Sequence, residues 1–164
     1  MSGVRLEAGR QHMKQKLSND QKQVLNFINK YHLAVVTTTD LQNPHPESAL
    51  VAFVCNDKFE FFFQTNKFSR KAENIKKNSH VAFVLGLGLD DLGTIQYQGR
   101  VEQLTTKKDV EKCKKHFIDN GSPTAEPKYL DHPDAIYFKV IPHWIGYHDY
   151  SRGKGHVIEL KHFT

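Results

Sequence analysis

Apolar positions recur with two different periods along this chain, and the change of period divides it into elements. Val24, Leu25, Phe27 and Ile28 fall at helical spacing, and Ser18 with Gln21 three residues on forms a capping box, so a helix is predicted to start at Ser18. Residues 33–39 are rich in β-branched side chains and read as a strand, followed by a breaker-rich turn over 40–46. Residues 47–55 and 58–65 then form a hairpin that reverses tightly across Asn56 and Asp57. A short helix ends near Lys77 and a strand covers 81–85. The cleanest alternation is 93–104, with Ile95, Tyr97 and Val101 on one face and Thr94, Gln96, Gln98, Arg100 and Glu102 on the other.

Thr106 with Asp109 opens a second amphipathic helix that closes near Asn120 and Gly121. Residues 120–133, with three prolines and little apolar content, read as a loop. Residues 135–141 and 144–148 read as two closing strands, and 157–160 as a last short one. Six or seven short strands with about three short helices describe a mainly β (α+β) chain, and the count favours a closed or nearly closed antiparallel barrel over a doubly wound sheet. Residues 1–17 form a polar lead-in expected to be flexible, and 18–164 a single domain.

Composition narrows the functional classes. The longest apolar stretches, 49–55 and 81–89, are too short to span a bilayer, and the first sixteen residues lack the apolar centre of a secretory signal. Cys55 and Cys113 stand far apart beside no other candidate ligand, which points away from disulfides and zinc and toward a reducing cytoplasm. The net charge of +5 attracts anions. Its densest cluster, Lys107, Lys108, Lys112, Lys114 and Lys115, is interleaved with Asp109 and Glu111 and reads as a solvated helix face, so small anions are favoured over nucleic acid.

One junction carries chemistry. The run Phe61-Phe62-Phe63-Gln64-Thr65-Asn66-Lys67-Phe68-Ser69-Arg70-Lys71 takes an apolar strand through a polar turn into a helix. A helix start offers unpaired N–H groups and the positive end of the macrodipole, so Thr65, Ser69, Arg70 and Lys71 suit a phosphate; a capped helix with a solvated basic first turn is the plainer alternative. The spacing of Gly86, Gly88 and Gly93 does not match a dinucleotide fingerprint.

Thr65-Asn66-x-x-Ser69-Arg70-Lys71, with Asn74 and then Asn78 before a new apolar strand, resembles the FMN-binding split β-barrel family, whose best-known enzyme is pyridoxamine 5′-phosphate oxidase. The resemblance runs from about Val24 to Leu104 and more loosely beyond. It implies a six- to seven-stranded antiparallel split β-barrel, FMN as cofactor, and a homodimer with the cofactor between subunits. It also implies FMN phosphate against Thr65, Ser69, Arg70 and Lys71, the isoalloxazine along Ser48, Ala49, Leu50 and Val51, and Gln64 approaching through its backbone. Thr94 stands where many relatives carry a glutamine, and Gln96 follows on the same face, so the resemblance implies both as polar contacts for the flavin; Trp144 is placed either to cover a ring from the partner subunit or to fill core or interface.

The departures point away from vitamin B6 oxidation. Where the oxidases carry an arginine and a substrate-binding lysine on the strand before the hairpin, this chain has Glu47 and Ala52, and its last residues lack the oxidase's terminal motif. Three classes stay open: an FMN-dependent oxidoreductase on an unassigned small molecule, a non-catalytic flavin-binding or stress-related protein, and a haem-binding member of the same barrel family, the last suggested by His148, His156 and His162. No catalytic residue is assigned; His45, His80, His143 and His148 read as surface or structural, Cys113 as an apolar-face residue beside Phe117, and no metal site is expected.

Overall fold

The computed structural model describes residues 16–42, 45–86, 92–153 and 155–163. Helix α1 (Asn19–Ile28) begins at the Ser18 capping box and buries Val24, Phe27 and Ile28. Strands β1 (Leu33–Thr38), β2 (Glu47–Cys55) and β3 (Phe61–Asn66) follow, then α2 (Arg70–Lys77), β4 (His80–Leu85), β5 (Gly93–Leu104), α3 (Lys107–Asp119), α4 (Pro127–Leu130), β6 (Ala135–Asp149) and β7 (Val157–Leu160).

All strand pairings are antiparallel, in the order β3-β2-β1-β4-β5-β6-β7, and a further β3–β6 pairing closes six strands into a barrel with β7 added outside. The alternation of β5 is realised as an inward and outward sequence from Gly93 to Glu102, with Ile95, Tyr97 and Val101 inside. The barrel is filled by rings from facing strands: Phe61 stacks on Tyr97 with centroids 4.2 Å apart, and Phe53, Phe63, Phe83 and Phe138 pack around them. Tyr97 is a fully buried polar member of this core. Its hydroxyl lies 3.0 Å from the carbonyl of Phe59 and 3.2 Å from that of Val140, so burial leaves it bonded, and desolvation drives its pKa upward. A smaller cluster of Val54, Cys113, Phe117, Leu130 and Tyr137 fixes α3 and α4 to the outside of the barrel.

Three local expectations are corrected. The hairpin between β2 and β3 does not turn tightly at Asn56 and Asp57; its loop runs from Asn56 to Glu60, because Asn56 Oδ1 accepts from the N–H groups of Lys58 and Glu60 while Phe59, at φ 61°, drops its ring into the core. The two closing strands are one 15-residue strand, β6. Gln98 pairs with Trp144 and Gly99 with Pro142, so His143 is an extra residue, and the bulge accommodates a proline that has no N–H to donate. Residues 120–133 are not all loop: Pro127 occupies the first turn of α4, where its missing N–H costs nothing. The expected lead-in falls almost wholly outside the described residues, as does Gly88. No described helix is long and apolar enough to cross a membrane.

Candidate functional site

The barrel is split at one seam. β3 pairs with β6 along its whole length, from Phe61 to Asn66, but with β2 only through Phe61, Phe62 and Phe63, opposite Cys55, Val54 and Phe53. Among the described residues, the β2 edge from Glu47 to Ala52 therefore has no strand beside it on that side, though β1 pairs it fully on the other. A cleft of about 330 Å³ opens there, lined by Leu50, Val51 and Ala52 from β2, Gln64, Thr65 and Asn66 from β3, and Lys71 from α2. Its far wall is Thr124, Lys128, Tyr129 and His132, from the α4 segment. The volume is within the range of small-ligand sites, at the low end.

Sequence alternation dictates what β2 offers. Ser48 and Leu50 point outward, and Leu50 is 61% exposed; Ala49 and Val51 turn into the barrel and pack on its core. Ala49 and Val51 thus offer a ligand outside the barrel only their backbone. Gln64 brings the site's unpaired polar atom: its Oε1 is buried and has no hydrogen-bond partner. A buried acceptor without a donor is costly, so its presence in a cleft suits a ligand that donates there.

At the mouth, Thr65 Oγ1 lies 3.2 Å from Ser69 Oγ, and Ser69 caps α2 by accepting the Ala72 N–H at 3.3 Å. Lys71 lines the cleft. Arg70 is turned aside, its Nε 3.1 Å from the Glu47 carboxylate. Asn74 Nδ2 donates to Thr38 Oγ1 at 3.1 Å and lies 3.5 Å from the other Glu47 oxygen. Together with Lys77 on Asp40 and Asn78 on Thr39, these contacts fasten α2 to the end of β1 and set the cradle's position.

Of the residues expected to contact a cofactor, the cleft therefore gathers Leu50, Val51, Gln64, Thr65 and Lys71. Ser48, Ala49, Ser69 and Arg70 adjoin it without lining it, and Thr94 and Gln96 lie elsewhere, on β5. They share an outer face with β2 all the same. Pairing places Leu50, Val35, Val84 and Gln96 in one row across β2, β1, β4 and β5, with Leu50 and Val84 exposed. Trp144 joins this face half-buried rather than in the core. A Cβ on Gly146 would come within 2.5 Å of its ring, so the six-membered ring of the indole packs against that glycine.

Sequence reasoning missed the far wall and the acid on Arg70. Pro127 was a signal for the first, as a helix-starting proline inside an apparent loop; nothing local signalled the second, since Glu47 and Arg70 meet only through the fold. Cys113 is buried, its thiol pushed up to about 12 by desolvation, which agrees with the apolar-face reading. His148 stacks on Tyr150 at the β6 end, and neither it nor His156 or His162 lines the cleft. Among the described residues no group of histidine, cysteine and acid side chains is arranged to hold a metal.

A family model described as pyridoxamine 5′-phosphate oxidase matches residues 20–149. Among solved structures, the chain is similar to Campylobacter jejuni ChuZ at TM-score 0.72 and 13% identity, over 90% of this chain and 61% of that one. It is similar to a heme binding protein from Mycobacterium smegmatis at TM-score 0.70 and 10% identity, over 89% and 59%. The chain thus spans about three fifths of the length of those two proteins. General Stress Protein 26 from Bacillus anthracis matches at TM-score 0.63 and 21% identity, over 85% of this chain and 98% of that one. None of the curated proteins matches the chain.

Proposed function

The chain belongs to the pyridoxamine 5′-phosphate oxidase family, and from that premise we propose that it is an FMN-dependent oxidoreductase acting on a small organic molecule as a homodimer. The observation that carries this reading is the seam cleft, which joins a free strand edge, an unpaired buried acceptor and a lysine at a helix start. Lys71 and Thr65 face the phosphate, with Arg70 in reach once it leaves Glu47. The free edge of β2 faces the polar rim of the ring, Gln64 Oε1 accepts a hydrogen bond from it, and Leu50 and Ala52 keep water off one side. When bound, FMN supplies the capacity to accept and return electrons; the protein orients it and shapes the pocket. Thr124, Lys128, Tyr129 and His132 form the wall that meets the substrate. Glu47 and Ala52 argue against pyridoxamine phosphate as that substrate. Two buried free thiols suit a cytoplasmic location.

Titration of the purified protein with FMN, followed by absorbance and flavin fluorescence, tests the reading. Lys71→Ala is expected to weaken binding by about tenfold, or 1.4 kcal/mol, with Thr65→Ala weaker in effect. A protein that takes up no flavin sinks the proposal. Turnover of nicotinamide donors above the rate with free FMN separates an enzyme from a flavin store. A second reading, haem, follows from the similarity to the mycobacterial heme binding protein and from a histidine at the cleft. His132 lines the cleft, and because its Nδ1 accepts the Asp134 N–H the neutral ring carries its proton on Nε2, so ligating iron through Nε2 requires that hydrogen bond to break. A Soret band that forms on haem addition and is lost in His132→Ala would favour it.

A further inference from the structure

We infer that Glu47 is an internal competitor for the cofactor's phosphate, a carboxylate that occupies the cradle's arginine and sets how much negative charge the site accepts. The inference rests on the flavin reading above and concerns a residue that reading leaves without a task.

The geometry separates a fixed acid from a movable base. Glu47 pairs with Thr38 in the β1–β2 ladder, and its side chain is 24% exposed. One carboxylate oxygen meets Arg70 Nε at 3.1 Å, and the other lies 3.5 Å from the amide of Asn74, which is itself bonded to the buried Thr38 hydroxyl. Strand, helix and amide thus hold the acid in place. The Arg70 side chain is 82% exposed and anchored through Nε. Among the described residues Glu47 is its ion-pair partner, and its stem is long, so it can swing.

The consequence is electrostatic. Of the two consecutive cations at the start of α2, Arg70 is neutralised by Glu47 and only Lys71 faces the cleft as uncompensated charge. A phosphate monoester carries close to two negative charges at neutral pH. Entering the cradle, it must take Arg70 from Glu47 and then sit near a carboxylate that cannot withdraw. Both effects oppose a dianion, act weakly on a singly charged phosphate, and leave the uncharged ribityl and ring portions alone. Glu47 therefore lowers the selectivity of the site for FMN over unphosphorylated riboflavin.

The test is a double-mutant cycle read with two ligands. Kd values for FMN and riboflavin are measured for the wild type, Glu47→Gln, Arg70→Ala and the double variant, with thermal unfolding to confirm that each is folded. Glu47→Gln keeps the shape and removes the charge. It is expected to tighten FMN by about tenfold at low salt, to leave riboflavin unchanged, and to lose most of its gain in the Arg70→Ala background. Unchanged or weaker FMN binding in Glu47→Gln overturns the inference and makes Glu47 a residue that orients Arg70 for the phosphate. A gain that persists without Arg70, or that riboflavin shares, overturns it too. If no variant binds either flavin, the flavin reading has failed, and the Nε–H resonance of Arg70 titrated with inorganic phosphate decides the remaining question. Saturation at lower phosphate in Glu47→Gln than in the wild type upholds the competition, and identical titrations refute it.

Discussion

Cys113 shows how a single residue's chemistry is decided by the element it sits on. A cysteine on a lysine-rich helix invites a reactive-thiolate reading, but helical spacing puts it on the face with Phe117, against Val54 and Tyr137. Burial there raises its pKa from the ordinary 9.0 to about 12. Below about pH 9 the thiol is protonated in both folded and unfolded chains, and its full contribution to stability is present. Between pH 9 and 12 the unfolded chain releases the proton while the folded one retains it, so stability falls as pH rises, by about 1.4 kcal/mol per unit for this thiol. Urea unfolding of the wild type across that range should thus show a steeper alkaline loss than Cys113→Ala. The variant should keep a residual slope of the same sign from Cys55, which burial also shifts upward. Parallel slopes in the two proteins would mean that the Cys113 site is wetter than its packing indicates. The face of Cys113 was legible because helix periodicity alone assigns it. The pairing of Glu47 with Arg70 was not, since it depends on where β2 meets α2.

Among elements, those legible in the sequence are the ones whose signals are local. The Ser18 and Thr106 caps, the alternation of β5 and the apolar run of β3 each needed only their neighbours to be read. β6 was split in two because Pro142 and His143 interrupt its pattern, and the bulge that absorbs them exists only through the pairing with β5. α4 was overlooked because its stability is borrowed. With four residues it has little helix of its own, and its hold on the molecule is Leu130 in the outer cluster, the Lys114–Asp131 ion pair, and the Tyr137 hydroxyl donating to the Leu130 carbonyl. Tyr137→Phe leaves that buried carbonyl without its donor, at a cost of about 1–3 kcal/mol. The loss should be concentrated at α4. Hydrogen exchange at the amides of Leu130 and Asp131 is expected to speed up well before that of β5, and flavin or substrate affinity to fall with it. Lys114→Ala, which removes two ion pairs whose acids, Glu111 and Asp131, are exposed, should cost about 1 kcal/mol. Uniform acceleration across the barrel in Tyr137→Phe would show that α4 is an integral part of the core, not a wall hung on it.

At the scale of the whole molecule, the cleft and the β5 residues expected to serve it are far apart within one chain, yet they share a face. The row from Leu50 through Val35 and Val84 to Gln96 crosses four strands, and at its far side Trp144 lies on Gly146. A two-fold axis through such a face would set the Gln96 end of one copy over the Leu50 end of the other, because an isologous contact matches one patch with itself reversed. Two sites would then form, each with Lys71 and Gln64 from one subunit and Thr94 and Gln96 from its partner. Lys71→Ala damages the first half of a site and Gln96→Trp, by bulk, the second. Either variant alone should bind FMN poorly. If sites are shared, unfolding and refolding an equal mixture makes about half of the dimers mixed, and each mixed dimer has one site with both halves intact, so about a quarter of all sites recover wild-type affinity. If Lys71 and Gln96 act within one chain, or if Gln96 is irrelevant, no such recovery occurs: the mixture binds as the average of its parts. Flavin titration of the refolded mixture, with mass measured by light scattering, distinguishes these outcomes and tests the dimer and the placement of its sites in one experiment.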